Sequence, residues 1–336
     1  MTALTAAVED FLLGYGLTNH QAERIQSGRN SRVWRIKHYD AVYILKEYFR
    51  HPNDPRDRLS TEYNFLSFLD SQGVTNIPRP LKRHPEMGTA LYSCLPGVLI
   101  STISEDHIQQ AARFIHKINQ GRGVSCATSL PQASEACFSL LEHIERVKFR
   151  MELLEGALID ISNQWQAKAL KLLSECLWPT YNRVEQQIRS HYSVAQLGDK
   201  LNPERWILSP SDFGFHNILE DKGELYFLDF EYAGWDDPVK LICDFACQPQ
   251  VPVSLVQAES FREYLAFWLD IDQERTYLLL PLYRLKWCCI LLNEFRSQDL
   301  QRRQHAGGNH DNILEQQLQK AQNYFYQHCQ PNYPIK

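Results

Sequence analysis

No apolar run in this sequence reaches the roughly 18 residues needed to span a bilayer, so a membrane-spanning protein is not expected. A basic excess is missing too. The net charge is −5, with 35 Lys and Arg against 40 Asp and Glu, which removes the electrostatic footprint of a nucleic-acid binder. Arg302-Arg303 and the arginines between Arg50 and Arg58 are local, and they read as solvated surface. Low-complexity tracts and internal repeats are lacking, and only 22% of residues are charged, so long disorder is not expected. The nine cysteines include no C-x-x-C pair, and no histidines complete a zinc spacing near Cys243 and Cys247 or near Cys288-Cys289. Most sit among apolar residues, which reads as buried thiols in a reducing compartment. Residues 1–17 lack a basic leader and carry Glu9 and Asp10 within their apolar part, the pattern of an amphipathic helix and not of a signal peptide. A cytoplasmic protein with neither membrane nor nucleic-acid partner is the expectation.

What is present is a chain of 336 residues, 44% of them hydrophobic and 12% aromatic, which is too long for one small core and suggests two lobes. Its most informative stretch runs from Trp206 to Asp244. Two short apolar runs, Ile218-Leu219 and Leu225 to Leu228, flank Asp221-Lys222-Gly223, a turn signal that closes a β-hairpin. Asp212 and Asn217 precede this hairpin and Asp229 follows it. An Asp, an Asn five residues on and a second Asp closing the next strand suit phosphoryl transfer. One carboxylate takes the proton of the attacking hydroxyl, while the carboxamide and the second carboxylate hold magnesium on the nucleotide phosphates.

Upstream, residues 3–15 read as a helix, and Arg32 to Lys37 with Val42 to Tyr48 read as a hairpin. Before it, Ser27-Gly28-Arg29-Asn30-Ser31 could lay backbone N–H groups over phosphates, although alone an ordinary turn is the preferred reading. Strand alternation puts Ile44 and Lys46 on one face. Lys46 is then either an edge gatekeeper or a cleft lysine on the α- and β-phosphates. Residues 59–69 are helical by spacing, with Glu62 in the first turn, where a carboxylate favours the helix dipole or pairs with Lys46. Residues 73–80 read as a loop, Ala90 to Leu95 as a strand, and Pro96-Gly97 as a hinge. Helical periodicity then dominates over 106–119, 135–158, 165–189, 253–269, 274–295 and 313–328.

Taken in order, these parts resemble the aminoglycoside phosphotransferase and choline kinase family over nearly the whole chain. Ser209 to Leu219 resembles its catalytic loop, normally His-Gly-Asp, four residues, Asn and two apolar residues. Leu228 to Gly234, continued by Asp237-Pro238 and Asp244, resembles its metal-binding segment. Pro210 and Ser211 stand where the family usually has His and Gly, which changes the support around Asp212. The resemblance implies an α+β, two-lobed protein-kinase-like fold. Its N-terminal lobe, an antiparallel sheet with a helix, would occupy 1–95, and the larger helical C-terminal lobe 96–336. It implies ATP or GTP with Mg2+, bound through Gly28, Asn30, Ser31, Lys46, Glu62, Asn217 and Asp229, and Asp212 as catalytic base. The implied acceptor is a small-molecule hydroxyl. Glu231, Asp236 and Asp237 among Phe213, Phe215, Tyr232 and Trp235 suit either a cationic amine or a sugar or polyol, with Phe215, Glu231, Tyr232 and Trp235 as candidate contacts. Asp237 and Asp244 are read as bracing the loop. A nucleotide-binding module without transfer activity is the alternative.

Overall fold

The computed structural model of the chain describes residues 4–25, 30–52, 54–159, 163–307 and 312–330. Helix α1 (Ala6–Leu13) is capped by Thr5 and buries Val8, Phe11 and Leu12. Strands β1 (Gln21–Ile25), β2 (Ser31–His38) and β3 (Ala41–Tyr48) follow, then helix α2 (Arg58–Ser71) and strands β4 (Pro80–His84) and β5 (Thr89–Ser93). They form one antiparallel sheet in the order β1-β2-β3-β5-β4. The expected hairpin is β2 and β3. The edge strands β1 and β4 have no fully buried residue, so the period-2 pattern that reveals a strand is missing from both.

Alternation along β3 sorts its side chains. Leu45 is fully buried against α1 with Trp34, Ile36 and Leu91. Lys46 points the other way, toward α2. Asp57 caps α2 by accepting from the Ser60 amide at 3.0 Å. A start at Arg58 carries Glu62 past the first turn, so the dipole account of this residue is corrected. Glu62 is buried for what it binds, not for where it sits on the helix.

Past β5, Gly97 hands the chain to a second sheet. Strand β6 (Val98–Leu99) leads to α3 (Glu105–Gln120), α4 (Leu140–Ala157), α5 (Gln164–Leu172), a π-helical turn at Leu173–Leu177, α6 (Trp178–His191) and α7 (Val194–Gly198). Next come β7 (Ile207–Ser209), β8 (Ile218–Asp221), β9 (Glu224–Phe227) and β10 (Gly234–Asp236). The chain ends in α8 (Pro238–Cys247), α9 (Leu255–Ala266), α10 (Gln273–Leu291), α11 (Ser297–His305) and α12 (Ile313–His328). The expected β8–β9 hairpin is present, with Lys222 and Gly223 both at positive φ as a two-residue turn demands. The helix expected from residue 135 starts at Leu140, where the Ser139 hydroxyl accepts from the Glu142 amide. The fold is α+β, an antiparallel sheet lobe followed by a helical lobe. No helix among the described residues is long and apolar enough to cross a membrane.

One apolar core runs through both lobes. Phe65 of α2 stacks on Phe230 at 5.7 Å, and Phe114 of α3 stacks on Phe227 at 3.7 Å. A second core joins α4, α6, α10 and α12. The Pro96-Gly97 turn is packed. Gly97 has φ 100°, and a Cβ there would lie 2.5 Å from the Glu220 carbonyl oxygen. Gly223 also has positive φ but open space around it. Gly223→Ala is expected to cost about 1–2 kcal/mol from backbone strain alone, and Gly97→Ala distinctly more because β8 must also move. Equal shifts of the denaturation midpoint in the two variants would show that the contact with β8 does not constrain residue 97.

Candidate active site

The two lobes meet at Lys46. Its Nζ lies 2.8 and 2.9 Å from the two Glu62 carboxylate oxygens and 3.0 Å from Asp229 Oδ1. Burial alone would push the Lys46 pKa down, but the charges of Asp229, Glu62 and Glu231 outweigh it and hold the ammonium well above its usual range. Glu62 is almost completely buried and fully used. Besides Lys46, it accepts from the Tyr48 hydroxyl at 2.6 Å and from the Phe230 amide at 3.3 Å. Tyr48 in turn bonds the Tyr92 hydroxyl at 2.7 Å. The sequence reading overlooked these two tyrosines, although Tyr48 follows Lys46 by the two residues that keep a side chain on one face of a strand.

Asp229 leaves β9 at φ 64°, and its side chain is about one-third exposed. Glu62, Asp229 and Glu231 bring carboxylate oxygens within 4.8 Å of one another, but Glu62 is taken by Lys46, Tyr48 and the Phe230 amide and Glu231 by Asn30 and Ser31, so Asp229 is the carboxylate of the three suited to a divalent cation. Asn217 belongs to the same construction. Its Nδ2 donates to the Asp212 carbonyl at 3.0 Å, and its own carbonyl accepts from the Leu228 amide at 2.9 Å. The amide nitrogen is thereby occupied, and Oδ1 is the atom suited to a metal.

Asp212 lies in the loop after β7. His216 Nε2 is 3.3 Å from its Oδ1, a neighbour that the sequence reading did not single out. Ser211, where the resembled family usually has glycine, adopts φ 67°. This strained backbone is held from two sides: Ser211 Oγ accepts from Lys240 Nζ at 3.2 Å and donates to the Ser134 carbonyl at 3.3 Å. Lys240 is almost fully buried and reaches Asp236 at 2.7 Å and Asp244 at 3.5 Å. Burial raises the Asp236 pKa to about 6 against the pull of Lys240.

The candidate residues divide sharply on burial. Phe215 is wholly enclosed, 5.8 Å from Phe245, and cannot touch a ligand; that expectation is corrected. Phe213 is likewise core, stacked between Phe114, Phe227, Phe245 and Phe261. Trp235 packs on the core and donates through Nε1 to the Ala127 carbonyl at 3.0 Å, so it too is corrected from contact to scaffold. Glu231 is 2% exposed and turned to Asn30 Nδ2 at 2.6 Å, Ser31 Oγ at 3.3 Å and Arg58 Nε at 3.9 Å. It faces the opposite lobe, not an acceptor. Burial and the nearby Asp229 charge push its pKa up to about 7. Asp237 caps α8 and is held by Arg275 at 2.6 Å and His143 at 3.1 Å, and Asp244 pairs with Lys286 at 2.8 Å. Both fit the bracing expected of them. Gly28 lies outside the described residues.

Of the arginines read as solvated surface, Arg50 and Arg56 are exposed, while Arg58, Arg302 and Arg303 are corrected. Arg58 is 2% exposed and bonded to Asp54 and Tyr232. Arg302 and Arg303 line a cavity of about 730 Å³ that opens beside Asp212, His216 and Tyr232. Lys46, Glu62, Asn217 and Asp229 are not among its walls. The base candidate thus stands between two compartments, the ion cluster on one side and a large cleft on the other.

A profile of the phosphotransferase enzyme family matches residues 21–278. The chain belongs to that family. Similar folds include a spectinomycin phosphotransferase in complex with ADP and spectinomycin, at 13% identity and TM-score 0.61, covering 96% of this chain and 100% of that one. An ethanolamine kinase of Plasmodium vivax shows 14% identity and TM-score 0.62 over 97% and 88% of the two chains. A choline kinase of Streptococcus pneumoniae shows 16% identity and TM-score 0.60 over 96% and 100%. No curated protein matches the sequence.

The loop support makes a stability prediction. Ser211→Ala keeps the strained backbone and removes the hydroxyl from Lys240, so it should lower stability by about 1 kcal/mol or more. Ser211→Gly loses the same hydroxyl but relieves a strain of about 1–2 kcal/mol, and should fall within about 0.5 kcal/mol of the parent. Urea denaturation of the two variants decides this, and a larger loss for glycine than for alanine contradicts it.

Proposed function

We propose that this phosphotransferase moves the γ-phosphoryl group of ATP to a hydroxyl of a small molecule. Lys46, steadied by Glu62, holds the α- and β-phosphates, and Asn30 and Ser31 lie at the nucleotide end of the cleft. Asn217 and Asp229 are the residues suited to magnesium, which when bound neutralises charge on the phosphates. Asp212 orients the acceptor hydroxyl and takes its proton as the new O–P bond forms. The bond from the γ-phosphorus to the bridging oxygen breaks at the same time, and ADP leaves. Positioning and electrostatics supply most of the acceleration.

The observation that carries this reading is the bond from Asn217 to the Asp212 carbonyl, with Leu228 bonded back to Asn217. It ties the base, the carboxamide and the segment bearing Asp229 into one unit at the junction of the ion cluster and the cavity. The support for ATP as donor comes from similar folds, two of which are described in ADP-bound and AMP-bound complexes. Spectinomycin, choline and ethanolamine, named for the similar proteins, define the size class of acceptor carried over to this chain.

Asp212→Asn should retain stabilisation by MgATP yet lose about 10²–10⁴-fold in acceptor-dependent ADP release. Asp229→Ala should lose both that stabilisation and the turnover, and the apo protein should melt lower because Lys46 loses one of its two carboxylate partners. A coupled ADP assay across amines, sugars, nucleosides and polyols, with parallel melting curves, reads both effects. Undiminished turnover in either variant removes the role given to that residue. Stabilisation by MgATP without turnover of any acceptor leaves a binding module in place of an enzyme.

A further inference from the structure

The cavity beside Asp212 is lined by cations and carboxylates in nearly equal number. Six arginines and one lysine line it, against six carboxylates, one of which is Asp212 itself. The remaining acids are already neutralised by side chains of this chain. Asp54 is paired with Arg56 and Arg58, both at 2.7 Å, and Glu135 with Arg150 at 2.6 Å. Lys286 holds Asp244 at 2.8 Å, and Asp299 lies between Arg296 and Arg302 at 3.0 and 2.9 Å. Arg303 approaches Glu294 at 3.3 Å. Each of these five acids therefore has a cation within 4.0 Å.

One guanidinium is left over. Arg146, on α4, has no carboxylate within 4.0 Å among the described residues, and its Nε is shielded from solvent with no hydrogen-bond partner. A buried guanidinium N–H without an acceptor is costly, and a bidentate anion is the ligand whose geometry satisfies it. Glu231, Asp236 and Asp237, the acids near the catalytic segment, are used up inside the fold by Asn30, Lys240 and Arg275. Among the described residues, these acids are therefore engaged within the fold and do not face an ammonium group.

We infer that the acceptor is an anionic alcohol, a sugar or polyol bearing a phosphate or carboxylate that Arg146 binds while its hydroxyl faces Asp212. Arg302, paired with Asp299, also lines the cavity, close enough for its charge to be felt by Tyr232. This inference rests on the phosphotransferase reading and adds to it the chemical class of the substrate. It also separates the chain from acceptors such as choline, which carry a fixed positive charge and would meet a guanidinium without a direct ion-pair partner here.

The test uses the intact protein saturated with magnesium and a non-hydrolysable ATP analogue. Phosphorylated and carboxylated sugars and polyols are titrated beside their neutral parents, choline, ethanolamine and spectinomycin, with melting temperature as the readout. ADP release with ATP is then measured for the same panel. At least one anionic member should stabilise the protein more than its neutral parent and show a kcat/KM at least about 10-fold higher, the gain of one charge-assisted contact. Arg146→Gln should remove that preference, lowering kcat/KM for the anion about 10-fold to 100-fold through KM, with the neutral parent unchanged. Arg146→Lys should recover part of it, and Arg302→Gln supplies a second variant should the first fail to fold. Stabilisation only by cationic or neutral members overturns the inference, as does equal sensitivity of anion and parent to Arg146→Gln, or no response to any anion. Anion binding that depends on Arg146 but gives no ADP release overturns the kinase reading and the acceptor role with it, and leaves Arg146 as an anion site only.

Discussion

The structure depends on a single buried ammonium held between two carboxylates from opposite lobes. Lys46 comes from the sheet, Glu62 from α2 and Asp229 from the segment after β9, so the contact spans residues 183 positions apart. Burying such a charge is unfavourable unless partners and hydrogen bonds replace its water. Here Tyr48, Tyr92 and the Phe230 amide complete the shell around Glu62, and the stack of Phe65 on Phe230 seals it. The same contact that joins the lobes thus orients the groups suited to phosphate and metal. Register along β3, the entry of α2 and the turn at Asp229 all have to be correct at once for it to form.

A second network does for the Asp212 loop what the first does for the nucleotide side. Ser211 accepts a left-handed backbone that glycine would adopt freely, and Lys240 with Asp236 and Asp244 holds it there. The carboxylates around the catalytic segment are thereby occupied by internal cations. This changes their meaning. In the sequence they look like a recognition surface for an amine; in the fold they are structural anions, and most of the cations lining the cleft are arginines of α4, α11 and the loop before α2.

Much of the candidate site is legible in the chain itself because its spacings are local. Asp212, Asn217 and the β8–β9 turn are separated by short fixed intervals, and hydrogen bonding within this stretch reproduces the expected arrangement of loop and hairpin. Lys46 is readable through strand alternation, and Glu62 through helical spacing, although the account of Glu62 as a dipole-stabilising residue fails with the true start of α2. Phe215 and Trp235 were misread for one physical reason. Aromatic residues beside a catalytic loop serve equally well as its floor, and sequence distance does not tell which side of the loop a ring faces.

The sequence by itself determined the β2–β3 and β8–β9 hairpins, the longer helices and the polar residues of the catalytic stretch, because periodicity and turn chemistry act over a few residues. Only the tertiary structure decided which charges cancel and which remain. Arg58 and Glu231 meet across 173 positions, and it is Arg150, one helical turn beyond Arg146, that pairs with Glu135. Whether a charged side chain braces the fold or faces a ligand depends on what packs around it, which local spacing does not encode.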